Sequence, residues 1–130
     1  MPEPTPPKSV TVLLVEDNDY LRTSWTKLLT LKGYRTFEAT NPERALRLVK
    51  QLGNELDVLV TDIVMPGMNG FELSKTVRKL CPTIGIIQMS AYGLAETPDP
   101  QFGGDVVLSK PIPINVLVDA LEQVQRRHPI

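Results

Sequence analysis

The chain has 130 residues, enough for one compact domain, with 42% apolar and 22% charged residues, an ordinary globular balance that sets disorder aside for most of its length. The formal net charge of −1 gives no general electrostatic reason to bind nucleic acid or an anionic membrane surface. One cysteine and one histidine exclude an intramolecular disulfide, a thiolate metal cage, a multi-histidine metal site and, in practice, a serine–histidine–aspartate triad.

Residues 1–9 hold Pro2, Pro4, Pro6 and Pro7 and read as an extended tail or linker. They lack the apolar core of a signal peptide. No apolar run reaches the roughly 18 residues that a membrane-spanning helix needs. A soluble cytoplasmic domain over 10–127 is the expectation.

From Val10 onward, strand-like and helix-like stretches alternate. Val10–Val15 is almost continuously apolar, as in a strand buried on both faces of a parallel sheet. Leu21, Trp25, Leu28 and Leu29 recur at helical spacing between Asp19 and Lys32, and Gly33 supplies a C-terminal cap. Trp25 is expected to pack in the core, with partial exposure in a docking surface as the alternative. Arg35–Ala39 predicts a second strand. Asn41-Pro42 is a helix start, an N-cap followed by proline at the first helical position, with Ala45, Leu46, Val49 and Leu52 as the apolar stripe.

Val58–Thr61 predicts the third strand, ending at Asp62. The turn-rich MPGMNG follows, then a helix over Phe71–Leu80 that leaves Cys81 at its buried end. Ile84–Met89 and Val106–Leu108 predict the fourth and fifth strands, and Ile114–Arg127 the last helix, with Leu117, Ala120, Leu121 and Val124 on one face. Between Ser90 and Asp105, Pro98, Pro100, Gly103 and Gly104 disfavour a regular helix, so the fourth helix is expected to be short or irregular. Successive βα units imply a parallel sheet with helices on both faces, because crossovers are right-handed.

Ligands of such sheets bind beyond the carboxyl ends of the strands. Glu16 and Asp17 follow the first strand, Asp62 ends the third, Ser90 follows the fourth and Lys110 the fifth. Taken singly, each has an ordinary explanation as a cap, turn or solvated residue. Together they put three carboxylates, a hydroxyl and an ammonium on one rim. Two carboxylates 4 Å apart repel by about 4 kcal/mol at an effective dielectric near 20. A hard divalent cation relieves this, and Mg²⁺ suits a site of carboxylates, waters and a phosphate. Phosphoryl transfer fits the set, with an aspartate as nucleophile.

The blocks VLLVEDND, TDIVMPGMNGFEL, MSAYG and LSKPI resemble the four signature blocks of response-regulator receiver domains, over about residues 10–127. The resemblance implies a flavodoxin-like doubly wound α/β fold with five parallel strands in the order 2-1-3-4-5. It implies that Asp62 is phosphorylated by a histidine kinase or a histidine phosphotransfer domain. It further implies Mg²⁺ on Asp17, Asp62 and the Val64 backbone carbonyl, with Glu16 acting through water, while Ser90 and Lys110 hold the phosphoryl oxygens. A cis Lys110-Pro111 bond is implied too, and a Gly70 that lets the backbone turn into the third helix.

Two departures from the family pattern stand out. Val107 occupies the place of a switching aromatic three residues before the lysine, with Tyr92 as a candidate substitute. Val64, two residues past Asp62, offers no hydrogen bond to an attacking water, which predicts slow self-dephosphorylation. It also argues against an aspartate-nucleophile phosphatase, whose chemistry wants an acid at that position. A phosphorylation-independent scaffold remains the other alternative. The proline tail and weak fourth helix favour a module of a longer multidomain protein, such as a hybrid sensor kinase, over a stand-alone receiver.

Overall fold

The computed structural model describes residues 9–64, 69–90 and 104–127. The expected fourth helix, Tyr92, most of the loop after Asp62 and residues 1–8 of the tail lie outside them. The described chain runs β1 (Thr11–Val15), α1 (Asp19–Leu31), β2 (Arg35–Ala39), α2 (Pro42–Leu52), a short 3₁₀ turn (Gly53–Glu55), β3 (Val58–Asp62), α3 (Gly70–Leu80), β4 (Gly85–Ser90), β5 (Val106–Ser109) and α4 (Ile114–Arg127). The five strands form one sheet in the order β2-β1-β3-β4-β5, every neighbouring pair parallel. The flavodoxin-like order expected from the sequence is the order found.

Each face of the sheet carries its own core. Val12, Leu14, Val58, Val60, Ile87 and Met89 face Trp25 and Leu29 of α1 and Leu117, Ala120, Leu121 and Val124 of α4. The alternate residues Leu13, Val15, Leu59 and Ile86 face Ala45 and Val49 of α2 and Leu73 and Val77 of α3, with Cys81 beside them. Successive strand side chains point to opposite faces, so a strand covered on both must be apolar throughout, as β1 is. Trp25 is 6% exposed and belongs to the core, which removes the docking alternative. Leu28, placed by periodicity on the apolar face, is 39% exposed, because its neighbour Leu29 takes the position facing the sheet.

The helix ends follow local chemistry. The side chains of Asn18, Asn41 and Asn69 each accept a hydrogen bond from a backbone N–H in the first turn of α1, α2 and α3. Gly33 stands just past α1 at φ 96°, a conformation that favours glycine.

Gly70 is needed for a different reason from the one expected. It is helical, at the first position of α3, and its φ is not positive. A Cβ there would overlap the Asp62 carbonyl oxygen and lie 2.7 Å from Ile63 Cα. Its N–H donates to the Ile63 carbonyl at 2.7 Å. The glycine lets α3 start directly against the end of β3.

Candidate functional site

The register of the sheet decides which strand ends meet. Val15 pairs with Thr61, Asp62 with Met89, and Ser90 with Ser109. The residues after β1, at the ends of β3 and β4 and after β5 therefore converge on one edge. Glu16 (1% exposed), Asp62 (6%) and Ser90 (0%) are buried there, whereas Asp17 is exposed.

Carboxylate oxygens of Glu16, Asp17 and Asp62 all lie within 4.8 Å of one another. Lys110 Nζ donates to Asp62 Oδ2 at 3.2 Å and forms a short ion pair with Glu16 Oε1. The lysine is held from behind as well. Its backbone N–H donates to the Ser90 carbonyl at 2.7 Å. The peptide bond to Pro111 is cis, as the resemblance implies. Its ammonium lies 5.8 Å from the centre of the Trp25 ring, close enough for a cation–π attraction.

Burial raises the Glu16 carboxyl above its ordinary range. The Lys110 bond works against that rise, and Asp17 and Asp62 add to it. Burial opposes the charge on Lys110, but its bonds to Glu16 and Asp62 prevail and hold it above the ordinary lysine value. Three carboxylates against one ammonium leave a local charge of −2 when all are ionised (−3 + 1). A divalent cation cancels that charge, and an all-oxygen donor set suits Mg²⁺.

All the side chains expected at the site, Glu16, Asp17, Asp62, Ser90 and Lys110, come to this rim. Val64 follows Asp62 with its side chain 65% exposed. Val107, in β5, pairs with Gln88 of β4 and is half-buried.

Two contributors were not foreseen. Trp25 serves the core and also sets its ring against the Lys110 ammonium, a contact for which the sequence carries no local signal. Arg22, on the first turns of α1, donates through Nη1 to the Glu16 carbonyl at 2.9 Å. It also pairs with Asp19 at 2.6 Å and Glu38 at 3.3 Å. The Asp19–Arg22 spacing of i,i+3 was a legible signal for the first of these pairs. Nothing local announces the bond to Glu16.

The family model of the response regulator receiver domain matches residues 12–122. The chain belongs to this family. Among curated relatives, this receiver domain is 43% identical over 84 residues to the sensor kinase CckA of Brucella abortus (strain 2308), covering 65% of the chain and 9% of the kinase. It is 29% identical over 114 residues to sporulation initiation phosphotransferase F of Bacillus subtilis (strain 168), covering 86% of the chain and 90% of that protein. It spans 9%, 29% and 10% of the lengths of three other-sized relatives it matches, CckA, a cyclic di-GMP phosphodiesterase of Thermotoga maritima and the sensor protein EvgS of Escherichia coli (strain K12). Among solved structures, a putative response regulator from Chloroflexus aurantiacus J-10-fl superposes with a TM-score of 0.83 at 30% identity, covering 92% of this chain and 100% of that one. The receiver domain of the hybrid histidine kinase CckA does so with a TM-score of 0.74 at 31% identity, covering 88% and 97%.

As a receiver domain, the chain is a module of two-component signalling. The family is in general not one of catalytic enzymes. No described helix is long and apolar enough to cross a membrane.

Proposed function

We propose that Asp62 accepts a phosphoryl group from a phosphohistidine on a histidine kinase or histidine phosphotransfer domain, in a Mg²⁺-dependent reaction. The observation that carries this is the convergence of Asp62 with two further carboxylates and the Lys110 ammonium on the sheet edge. An Asp62 carboxylate oxygen attacks phosphorus. An O–P bond forms, the N–P bond breaks, and its electron pair returns to the imidazole, which keeps or takes up a proton. Lys110, already bonded to Asp62, neutralises charge on the transferred oxygens, and the Ser90 hydroxyl donates to one of them. Asp17, Asp62 and the Val64 carbonyl would hold Mg²⁺, with Glu16 acting through water, and the ion would offset charge on phosphoryl and carboxylate oxygens. Positioning and charge neutralisation supply the rate, with no proton acceptor required at Asp62.

Transfer changes the charge that Lys110 and Ser90 face, and a conformational response there would carry the signal. Self-dephosphorylation would be slow, since Val64 cannot orient water. The domain would occupy 10–127, after a tail over 1–9, within a longer multidomain protein in the cytoplasm, with no direct nucleic acid contact. The kinship with CckA, whose receiver domain is that of a hybrid histidine kinase, supports a hybrid-kinase setting.

Incubation with acetyl phosphate and Mg²⁺, followed by intact-mass spectrometry, tests the proposal. Wild type should gain one phosphoryl group and Asp62→Asn none. A wild-type protein that stays unmodified, and also fails to bind beryllofluoride, would instead favour a phosphorylation-independent scaffold.

A further inference from the structure

Arg22 joins three segments at the root of the acidic pair. Its side chain is 11% exposed. Nη1 holds the Glu16 carbonyl at 2.9 Å, Nη2 the Asp19 carboxylate at 2.6 Å in the first turn of α1, and Nε the Glu38 carboxylate at 3.3 Å in β2. The Glu16 N–H donates to the Ala39 carbonyl at 3.2 Å, at the end of the same strand β2. The peptide units on either side of the Glu16 Cα are thus each tied, one to β2 and one to Arg22. A planar guanidinium can serve three acceptors at once in this way, and an ammonium of similar reach cannot match that fork.

The consequence falls on the carboxylates. Glu16 and Asp17 leave β1 at the height this clamp sets, and the gap from their oxygens to Asp62 is set with it. We infer that Arg22 is a positioning residue for the Glu16–Asp17 pair, holding it at the separation from Asp62 that a divalent cation requires. This role is exerted through its bonds to Glu16, Asp19 and Glu38, not through contact with the phosphoryl group or the ion. The inference rests on the Mg²⁺-dependent reading above. Groups that orient metal ligands in this way typically contribute about 10- to 100-fold to metal affinity.

Charge and geometry act with opposite signs here, which makes the inference decidable. Removing a cation beside three carboxylates would, by charge alone, tighten Mg²⁺ binding. Loosening the clamp would weaken it. The test is a Mg²⁺ titration of the full chain as wild type, Arg22→Gln and Arg22→Lys, without any phosphodonor. Calorimetry reads binding directly, and the emission of Trp25, the sole tryptophan, reads the environment of Lys110. Thermal unfolding without metal checks that each variant is folded.

Arg22→Gln should bind Mg²⁺ about 10- to 100-fold more weakly than wild type. Arg22→Lys, which keeps the charge and loses the fork, should also bind more weakly, and it carries the test if Arg22→Gln does not fold. Binding by Arg22→Gln as tight as wild type, or tighter, overturns the positioning role while leaving the metal site standing. Failure of wild type itself to bind Mg²⁺ overturns the metal reading, and the role of Arg22 with it.

Discussion

Gly70→Ala should damage both the stability of the domain and the placement of Asp62. The added methyl would overlap the Asp62 carbonyl oxygen and lie 2.7 Å from Ile63 Cα and 2.9 Å from the Asp62 carbonyl carbon. Carbon atoms in good contact sit at about 3.5–4.0 Å. All three neighbours are backbone at the end of a buried central strand, so no side chain can swing aside. Overpacking of this kind costs about 1–3 kcal/mol. Alanine recovers up to about 0.5–1 kcal/mol over glycine within a helix, less at its first residue. A net loss of about 1–2 kcal/mol should lower the unfolding midpoint by roughly 4–8 °C in a domain of this size. The relief must come from moving β3 or α3, and a displacement near 1 Å at a reacting group can cost about 100-fold in rate. Calorimetric melting and the rate of phosphoryl uptake from acetyl phosphate measure the two effects. Gly33→Ala is the control, since its Cβ would meet nothing within 4 Å although its φ of 96° is strained. It should lower the midpoint and leave uptake unchanged. A Gly70→Ala protein that melts like wild type and accepts phosphate at the wild-type rate would refute the reasoning.

Two further outcomes are expected. Val64→Asn changes a side chain that is 65% exposed, so the fold should be unaffected. One new hydrogen bond to the attacking water, at about 1 kcal/mol, should speed loss of the phosphoryl group roughly fivefold, as followed by intact mass over time. Burial, with the charge of Glu122 added, pushes the Tyr34 phenol above its ordinary value. The folded chain therefore holds that proton more tightly than the unfolded chain. Its contribution is complete below the ordinary phenol value of about 10 and is lost as pH rises through the raised one. Lys110, also raised, loses stability in the same direction, so the comparison must be between variants. Tyr34→Phe should flatten the alkaline fall in urea-unfolding free energy relative to wild type, and an unchanged slope would count against Tyr34 as its source.

Much of the molecule could be read along the chain because the decisive signals are local. Burial on both faces demands apolar runs, so β1 and β3 announce themselves in VTVLLV and VLV. The start of α2 is marked by Asn41, whose side chain satisfies a free first-turn N–H group, and the structure shows Asn18 and Asn69 doing the same for α1 and α3. The signature blocks around Glu16, Asp17, Asp62, Ser90 and Lys110 led to the right family and to one rim. Their residue types state the chemistry before any coordinates do, since carboxylates, a hydroxyl and an ammonium have few joint uses.

Contacts across the fold were decided only by tertiary structure. That Leu29 rather than Leu28 faces the sheet depends on the rotation of α1, which helical periodicity leaves uncertain by a position. The role of Gly70 is set by how closely α3 approaches the end of β3, although the residue itself is helical. The ion pair of Lys110 with Glu16 spans 94 positions, and the seat of its ammonium beside Trp25 joins α1 to the segment after β5. Arg22 reaches the Glu16 carbonyl because the chain folds back from β1 into α1, and reaches Glu38 because β2 lies beside β1. Sequence marks what each residue can do. The packing of the helices onto the sheet determines which residues do it together.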